Sequence, residues 1–366
     1  MPNEINILVS GGGTGGHIFP AISIANAIQK KLVNANIHFV GALGKMEMDK
    51  VPLAGYQITG LWISGLQRKL TTKNLLFPFK VVSSIYKAYR IINKFKPSIV
   101  IGTGGYASGP LLYAASKKNI PTLIHEQNAF PGITNKLLSK RVNKVCVSYP
   151  NMEKYFPKEK IIITGNPIRR EILNLAPSKE EGLEFFNLDN KKQTLLVIGG
   201  SQGATQINIA IAENLKQLLS LNLQIIWQTG SSSKILADNA AKGNKHIVVT
   251  EFIHKMDMAY VAADFIISRA GAIAIAEIIA VKKPAILIPL PSAAEDHQTK
   301  NASTLVDGDA ALMIKEENAI SSLPVVIKSL VENTKLQETI IKNLDNFSYP
   351  DAAENIANEA IKMTNI

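Results

Sequence analysis

Two glycine-rich turns, each between an apolar run and a predicted helix, carry the residue types best suited to chemistry in this chain. The first, GGGTGG, follows the run 5–10 and leads into His17. The second, GGSQGA at 199–204, follows the run 195–198 and contains Ser201. Glycines permit positive φ and close approach of a ligand, and the helix that follows directs unpaired N–H groups and a partial positive charge at an anion. Both turns are predicted to bind phosphate, although the second could simply be a tight strand-to-helix connection.

His17 adds a titratable group to the first turn. A helix N-terminus disfavours the imidazolium form, so the ring stays neutral and able to accept a proton near neutral pH. His17 is therefore a candidate general base. A structural histidine that hydrogen-bonds its own loop is the alternative, and the sequence leaves both open.

The first turn also satisfies G-x-G-x-x-G at 11–16, the dinucleotide-binding pattern. That pattern requires an acidic side chain about 20 residues on, at the end of the second strand, to hold a ribose. Here the second strand ends at 39–42 without one, and the next acid is Glu47. The imidazole of His17 would also crowd a pyrophosphate. NAD and FAD binding are disfavoured, and no cofactor is expected.

A third set of polar residues lies in the second half of the chain. The run 265–267 leads into SRAGA at 268–272 and a helix that carries Glu277, and Gln298 follows the next strand. A carboxylate one or two turns into such a helix can accept both hydroxyls of a ribose, and a glutamine can bind sugar hydroxyls. As an ordered set in one domain, these residues predict a nucleotide-sugar site.

Length and composition predict two globular domains, because 366 residues with 46% apolar side chains exceed one core of usual size. The single cysteine, Cys146, lies in an apolar run, which predicts core packing and a reducing compartment. The N-terminus lacks the pattern of a signal peptide, and no window approaches about 18 uninterrupted apolar residues. Neither a leader nor a membrane-spanning helix is expected.

Short apolar strands alternate with amphipathic segments in both halves, which predicts an α/β protein with parallel sheets covered on both faces. An irregular region is expected after the second strand, as far as residue 65. The last helix, from about 350 to 363, could pack on either domain. Strands are predicted at 5–9, 37–40, 98–101, 122–125, 144–148, 161–163, 195–198, 224–228, 247–249, 265–267 and 285–288, and the first helices at 18–33 and 74–95.

The net charge of +11 belongs to residues 50–125, which contain eleven Lys and Arg and no Asp or Glu. Apolar side chains from Leu75 to Tyr89 lie among these basic residues, a pattern typical of docking on an anionic membrane surface. One alternative is a core helix with a solvated basic face. Another is a nucleic-acid site, but no nucleic-acid-binding motif accompanies the charge.

Eight segments in order resemble the motifs of the MurG family, bacterial N-acetylglucosaminyltransferases that convert lipid I to lipid II. The resemblance covers residues 11 to about 302. The matching segments are GGGTGGHIFPA (11–21), GTGGYASGP (102–110), HEQN (125–128), GNPIR (165–169), GGSQGA (199–204), TEFI (250–253), SRAGA (268–272) and DHQTKNA (296–302).

The resemblance implies a GT-B fold: two Rossmann-like domains with parallel sheets that face a central cleft. It assigns 1–164 to a membrane-associating domain that binds the lipid-linked acceptor, undecaprenyl-pyrophosphoryl-MurNAc-pentapeptide. It assigns 165–345 to a domain that binds UDP-N-acetylglucosamine, and it returns the last helix, about 346–366, to the first domain. A lipid-linked acceptor favours the membrane interpretation of the basic stretch.

The resemblance also implies roles for individual residues. Tyr106 and Glu126 are candidates for the acceptor side. Where the family usually has Thr or Ser, this chain has Ala274, which removes a hydroxyl contact to phosphate. The donor-binding residues carried over are Thr14, Gly15 and Gly16 beside the phosphates and sugar, Asn128 on the sugar, Arg169 and Ser201 on the diphosphate, Ile253 on uracil, Ala272, Ile273, Ala274, Ile275, Ala276 and Glu277 on the phosphate and ribose, and Gln298 on the sugar.

An inverting transfer requires that a hydroxyl be deprotonated and a leaving diphosphate be stabilised. We predict that His17 takes the proton of the muramyl 4-hydroxyl, and that Arg169, Ser201 and two helix N-termini stabilise UDP. Asp307-Gly308-Asp309 fits the D-x-D string of metal-dependent sugar transferases but is typical of a helix-to-strand turn, so no metal is expected.

The resemblance therefore predicts a peripheral enzyme at the cytoplasmic face of the bacterial membrane, in peptidoglycan synthesis and hence in cell shape and division. Its partners would be UDP-N-acetylglucosamine, lipid I, the anionic membrane surface and other cell-wall synthesis proteins. The rival functions are a UDP-N-acetylglucosamine 2-epimerase and a non-catalytic UDP-sugar-binding subunit. An epimerase forms product from the donor alone, and a binding subunit releases no UDP.

Overall fold

The computed structural model describes residues 5–65, 75–200 and 203–364. The chain forms two compact units, one of Met1–Ile168 with Tyr349–Ile366 and the other of Arg169–Ser348. The chain crosses between the units at 168–169 and 348–349, against 164–165 and 345–346 expected from the sequence. Each unit has a parallel sheet with helices, which confirms the predicted α/β class.

The first unit contains a seven-stranded parallel sheet in the order β3-β2-β1-β4-β5-β6-β7. Most of its strands are nearly continuous apolar runs because helices cover both faces of the sheet. The strands are β1 Asn6–Ser10, β2 Asn36–Ala42, β3 Gln57–Leu61, β4 Ile99–Gly102, β5 Thr122–Glu126, β6 Lys144–Val147 and β7 Ile161–Ile163, and the helices are α1 Gly15–Lys31, α2 Glu47–Leu53, α3 Phe77–Phe95, α4 Ser108–Lys117 and α5 Ile133–Ser139.

The second unit repeats the plan with a six-stranded parallel sheet in the order β10-β9-β8-β11-β12-β13. Its helices are α6 Arg170–Leu173, α7 Lys179–Phe185, α8 Thr205–Ser220, α9 Lys234–Ala241, α10 Met256–Ala262, α11 Ala272–Val281, α12 His297–Val306, α13 Ala319–Glu332 and α14 Thr334–Leu344. Its strands are β8 Gln193–Ile198, β9 Leu223–Gln228, β10 Ile247–Thr250, β11 Phe265–Ser268, β12 Ala285–Leu287 and β13 Leu312–Met313.

The last helix, α15 (Ala352–Lys362), packs on the first unit. Its buried side chains Ile356, Ala357 and Ala360 join an apolar cluster with Ile24 and Ile28 of α1. Sequence periodicity identified the helix but could not choose its partner, because an apolar stripe fits any apolar surface of suitable shape.

The predicted irregular region before residue 65 is wrong, since it contains α2 and β3. Strand β3 reads Gln-Ile-Thr-Gly-Leu, so its apolar run is interrupted by polar and small residues. Such a strand is sufficient at the edge of the sheet, where β3 lies and only one neighbour pairs with it. Gly60 leaves room for the Leu43 side chain, since a Cβ there would lie 2.3 Å from Cδ2 of Leu43 and that side chain would have to move.

In both sheets the strand order reverses beside the first strand, between β1 and β4 and between β8 and β11. Ligands of open α/β sheets bind beyond the carboxyl ends of the strands at this switch point. The glycine turns at 11–16 and 199–204 follow β1 and β8 and therefore occupy these positions.

Cys146 lies on β6 in the core of the first unit and is fully buried. Burial raises the pKa of its thiol to about 12, with a smaller contribution from Glu359. The thiol is therefore unreactive, as the sequence predicted for a packing residue. None of the helices in the described ranges combines the length and apolar character that a bilayer crossing needs.

Candidate active site

His17 lies in the first turn of α1, half-buried, with Thr14 as the N-cap residue. Its Nδ1 is 3.2 Å from the carbonyl oxygen of Gly12 and 3.2 Å from Oγ1 of Thr14. A carbonyl only accepts hydrogen bonds, so Nδ1 carries the proton and the lone pair of the neutral ring is on Nε2. The hydrogen bond of His17 to its own loop is therefore present, and it is compatible with the tautomer that a general base would need; the catalytic role stays a prediction.

The turn after β4, in the GTGGYASGP segment, packs against His17. Thr103 Oγ1 donates to the carbonyl oxygen of His17 at 2.7 Å. Gly104 and Gly105 have φ of +98° and +79°, and a Cβ on Gly104 would lie 2.9 Å from Cδ2 of His17. A Cβ on Gly105 would lie 2.2 Å from the carbonyl oxygen of Gly12. The turns at 11–16 and 103–105, both in the first unit, therefore pack together around the imidazole.

We expect Gly105→Ala to destabilise the protein and lower its activity. The positive φ costs an L-residue about 1–2 kcal/mol, and the clash with the turn at Gly12 adds about 1–3 kcal/mol. Gly55→Ala controls for φ alone, since Gly55 has φ +88° and nothing within 4 Å of its Cβ position. Gly132→Ala meets neither penalty. Chemical denaturation should show the largest loss of unfolding free energy for Gly105→Ala, a smaller loss for Gly55→Ala and the smallest for Gly132→Ala. Equal losses for Gly105→Ala and Gly55→Ala would show that the close approach of Gly105 to Gly12 does not matter for stability.

The buried carboxylate of Glu47 hydrogen-bonds the backbone of the first turn, a role that the sequence analysis did not predict. It is fully buried; Oε2 accepts from Gly13 N at 3.0 Å, and Oε1 accepts from Ala42 N at 3.0 Å. The absence of an acid at the end of β2 had argued against a ribose site, and Glu47, five residues later, instead binds the turn itself. The sequence shows Glu47 as the first acidic residue after β2, but it does not show that its carboxylate binds the backbone of the glycine turn.

Tyr106 lies over the same turn. A Cβ on Gly13 would lie 3.0 Å from Cε1 of Tyr106, so glycine is needed for the ring to approach. Burial, and secondarily the charge of Glu47, raise the pKa of the Tyr106 phenol. The phenol therefore remains protonated at neutral pH and can donate a hydrogen bond.

Glu126 ends β5 and is buried, and its carboxylate organises the loop that follows. It accepts hydrogen bonds from the backbone and side-chain nitrogens of Asn128, from Gly132 N and from Asn135 Nδ2, at 2.8–3.2 Å. Burial raises the pKa of the Glu126 carboxyl, and these bonds oppose the shift. This geometry favours a role in positioning Asn128 over the direct acceptor contact that we considered from sequence.

The remaining residues of the HEQN segment connect this loop to the turn beside His17. Gln127 Nε2 donates to the carbonyl oxygen of Thr103 at 2.8 Å and lies 3.0 Å from Nδ1 of His125. His125 Nε2 donates to the carbonyl oxygen of Gly165 at 3.0 Å. Burial lowers the pKa of His125 to about 4, so this ring is neutral and structural.

In the second unit, Gln228 connects two predicted donor-binding segments. This buried residue ends β9; Nε2 donates to Gly200 O at 2.9 Å, and Oε1 accepts from Ile253 N at 3.4 Å. It therefore ties the glycine turn to the segment expected to hold uracil, and sequence reasoning did not single it out. Ser201, predicted to bind the diphosphate, lies outside the described residues.

Glu277 and Arg169 are brought together. Glu277 is buried on α11, and its Oε1 accepts from Nε and Nη2 of Arg169 at 3.1 and 2.9 Å. Burial opposes the charge on Arg169, but the Glu277 carboxylate outweighs it and raises the pKa of the guanidinium. Tyr260 OH donates to Oε2 of Glu277 at 2.9 Å. The residue predicted for the diphosphate, Arg169, is therefore paired with the residue predicted for the ribose, and Tyr260 shares the same carboxylate.

Several other donor-binding predictions lie at helix N-termini, some in the second unit and some in the first. Residues 272–276 form the first turns of α11, so the backbone N–H groups beside Ala274 are near the positive end of the helix. Gln298 lies in the first turn of α12, and its Oε1 accepts from Leu290 N at 3.0 Å. Thr14, Gly15 and Gly16 belong to the first unit, at the start of α1.

The D-x-D string occupies the turn between α12 and β13, as predicted, and Asp309 has φ +49°. Across the described parts of the chain, His, Cys, Asp and Glu side chains form no group of three or more suited to a metal ion.

Comparison with known proteins agrees with this geometry. Residues 7–147 match the glycosyltransferase family 28 N-terminal domain, and 194–356 match its C-terminal domain. A Flavobacterium psychrophilum protein named UDP-N-acetylglucosamine–N-acetylmuramyl-(pentapeptide) pyrophosphoryl-undecaprenol N-acetylglucosamine transferase is 48% identical over 98% of both chains. A Cytophaga hutchinsonii protein of the same name is 49% identical over 100% of this chain and 99% of its own. The crystal structure of Acinetobacter baumannii MurG is 30% identical with a TM-score of 0.80, covering 98% of this chain and 99% of its own.

Two Rossmann-like units, each with a glycine turn at its switch point, define a glycosyltransferase of the GT-B class. The chain belongs to glycosyltransferase family 28 and, within it, to the MurG family, which confirms the predicted resemblance.

Proposed function

We propose that this protein transfers N-acetylglucosamine from UDP-N-acetylglucosamine to the 4-hydroxyl of the MurNAc of lipid I, with inversion, to form lipid II in peptidoglycan synthesis. The observation that carries the proposal is near-half identity, over almost the whole length, to relatives whose names state this transfer. The enzyme class, an N-acetylglucosaminyltransferase, follows from the same relatives and both family domains.

In this reaction His17 is the general base. Its Nε2 takes the proton as the sugar hydroxyl attacks the anomeric carbon, and the bond from Nδ1 to Gly12 holds the ring in the required tautomer. The anomeric carbon–oxygen bond to the diphosphate breaks as the new glycosidic bond forms. Arg169, Ser201 and the N-terminus of α11 stabilise the charge that develops on UDP.

A labelled-transfer assay tests the proposal. The protein is incubated with radiolabelled UDP-N-acetylglucosamine and lipid I, and label should enter the lipid fraction with stoichiometric release of UDP. The reaction should continue in excess chelator, since no metal is expected to take part. Product formed from the donor alone would instead indicate an epimerase, and donor binding without UDP release would indicate a binding subunit; either result contradicts the proposal.

We also propose that the first unit docks on an anionic membrane surface. Helix α3 presents two faces: Ser84, Ala88 and Ile92 are buried, whereas Phe79 and Val82 are 66% and 70% exposed. Some apolar residues of α3 therefore face the core, and only the exposed ones are available for docking. The exposed apolar side chains on and just before α3 are Leu75, Leu76, Phe79, Val82 and Tyr86, and the exposed basic ones on α3 are Lys87, Arg90 and Lys94.

Helix α5 extends this face. Its Ile133 and Leu137 are 61% and 71% exposed, with Lys136 between them. Both α3 and α5 pack on the same apolar cluster, through Ala88 and Leu138, so they cover the same side of the sheet. Exposed apolar side chains among basic residues suit the interface of an anionic leaflet. Arg68, Lys69 and Lys73, counted in the basic stretch, lie outside the described residues.

Phe79→Asp should lower the fraction of protein that floats with anionic liposomes about tenfold. The change removes an apolar side chain whose burial contributes about 1.5–3 kcal/mol. It also introduces a negative charge, which the anionic lipid surface repels. Val325→Asp on α13 is the matched control, because Val325 is 70% exposed, close to the 66% of Phe79, but lies in the second unit. Equal flotation of both variants, or flotation independent of anionic lipid, would contradict the membrane proposal.

The lipid of the acceptor and the proposed docking face both support a peripheral position at a membrane surface. We propose the cytoplasmic face of that membrane, as the resemblance to the family implies. Other proteins of cell-wall synthesis are its expected partners there.

A further inference from the structure

Tyr260 touches the donor machinery of the second unit without belonging to any segment that identified the family. It lies on α10, is 1% exposed, and its hydroxyl donates to Oε2 of Glu277 at 2.9 Å. The hydroxyl and the carboxylate depend on each other, because leaving either buried polar group without a hydrogen-bond partner costs free energy.

The acceptor capacity of Glu277 is limited. A carboxylate has about four lone-pair sites. Two N–H groups of Arg169 use Oε1, and Tyr260 uses one site on Oε2. One site remains, but the two hydroxyls of a ribose need two. Both hydroxyls can bind only if one of the present partners leaves.

The two partners of Glu277 differ in freedom. The Arg169 side chain is 42% exposed and lies at the start of the second unit, so it can turn toward solvent or an anion. Tyr260 is enclosed in the core and keeps its position. Arg169 is therefore the partner that a ribose displaces, and its freed guanidinium is available to a diphosphate.

We infer that Tyr260 is a positioning residue for the donor: it holds Oε2 of Glu277 so that the carboxylate can exchange Arg169 for the ribose hydroxyls of a uridine nucleotide. This inference rests on the proposed function, since it assigns the nucleotide to the same site. When the ribose hydroxyls replace Arg169 at Glu277, the arginine becomes available to bind the diphosphate, so binding of the ribose favours binding of the diphosphate.

The test measures binding of UDP and of 2′,3′-dideoxy-UDP by calorimetry to the full-length protein and to Tyr260→Phe. The variant keeps the ring and removes the hydroxyl. UDP affinity should fall about tenfold, whereas dideoxy-UDP affinity should change less than twofold, since it offers no ribose hydroxyls to Glu277. In the transfer assay, the KM of Tyr260→Phe for the donor should rise. Its kcat should stay within about twofold of that of the unmodified protein.

Tyr149→Phe is the matched control. Tyr149 is also buried, and its hydroxyl has no hydrogen-bond partner among the described residues. This variant should bind both nucleotides like the unmodified protein. Equal losses for UDP and dideoxy-UDP in Tyr260→Phe would show a general packing effect and overturn the inference, as would no loss for either.

If Tyr260→Phe does not fold, the unmodified protein labelled with ¹³C at tyrosine Cζ answers the same question. UDP should shift the Tyr260 resonance, and dideoxy-UDP should leave it in place; identical responses would overturn the inference. Failure of the proposed function is distinguishable, because the labelled-transfer assay reports it separately: the unmodified protein would then put no label into the lipid fraction, whatever its affinity for UDP.

Discussion

His17→Ala is expected to lower kcat by about a hundred- to ten-thousand-fold, the usual cost of losing a general base. Binding of UDP should stay within about twofold, because the imidazole acts on the acceptor hydroxyl and not on the nucleotide. Steady-state kinetics with lipid I and calorimetry with UDP measure the two effects.

His38→Gln is a suitable control for His17→Ala. His38 lies on β2, where its Nε2 is 2.8 Å from Oγ1 of Thr59 and its ring contacts Phe95. This variant removes an imidazole from the same unit and should leave kcat unchanged. If His17→Ala keeps the kcat of the unmodified protein, the bonds to Gly12 and Thr14 would be its whole role, and a different group would have to accept the proton.

Arg169→Ala is expected to lower kcat/KM by about a hundred- to a thousandfold, the usual cost of removing one preorganised group that stabilises developing charge. The variant also leaves the buried Glu277 carboxylate without its cation. Arg169→Lys should recover only part of the loss, because an ammonium cannot reproduce the forked contact to carboxylate or diphosphate. Steady-state kinetics at varied donor concentration measures both variants.

Arg170→Ala serves as the control for Arg169→Ala, since it removes an exposed guanidinium from the next position of the chain. Its kcat/KM should stay within about twofold of the unmodified protein, as for most surface substitutions. A similar loss in both variants would indicate a general effect of positive charge on the substrates. Full recovery in Arg169→Lys would indicate that charge alone, and not the fork, is required.

The glycine turns were predictable because their demands are local. A left-handed backbone such as Gly13 at φ +86° admits glycine far more readily than other residues, so the amino-acid type reveals the conformation. The strands beside these turns were predictable for a related reason: a strand buried on both faces must be apolar along its length. Strand β3 escaped prediction because an edge strand carries no such requirement.

Arg169 and Glu277 illustrate the limit of such inference. The resemblance assigned each a ligand, but they are 108 residues apart and nothing local to either predicts that they pair. Glu47, Gln228 and Tyr260 were not singled out for the same reason. Each is a buried polar side chain whose role is set by the distant backbone or side-chain group that it satisfies.

The sequence by itself determined the α/β class, the family, the position of the two glycine turns and the identity of the candidate base, because backbone conformation, apolar periodicity and ordered motifs depend on neighbouring residues. Only the tertiary structure decided the tautomer of His17, the support of its turn by Glu47, the sharing of Glu277 and the packing of the last helix on the first unit. These features depend on hydrogen bonds and apolar contacts between segments that are far apart in the chain, where packing geometry and not local preference selects the partner.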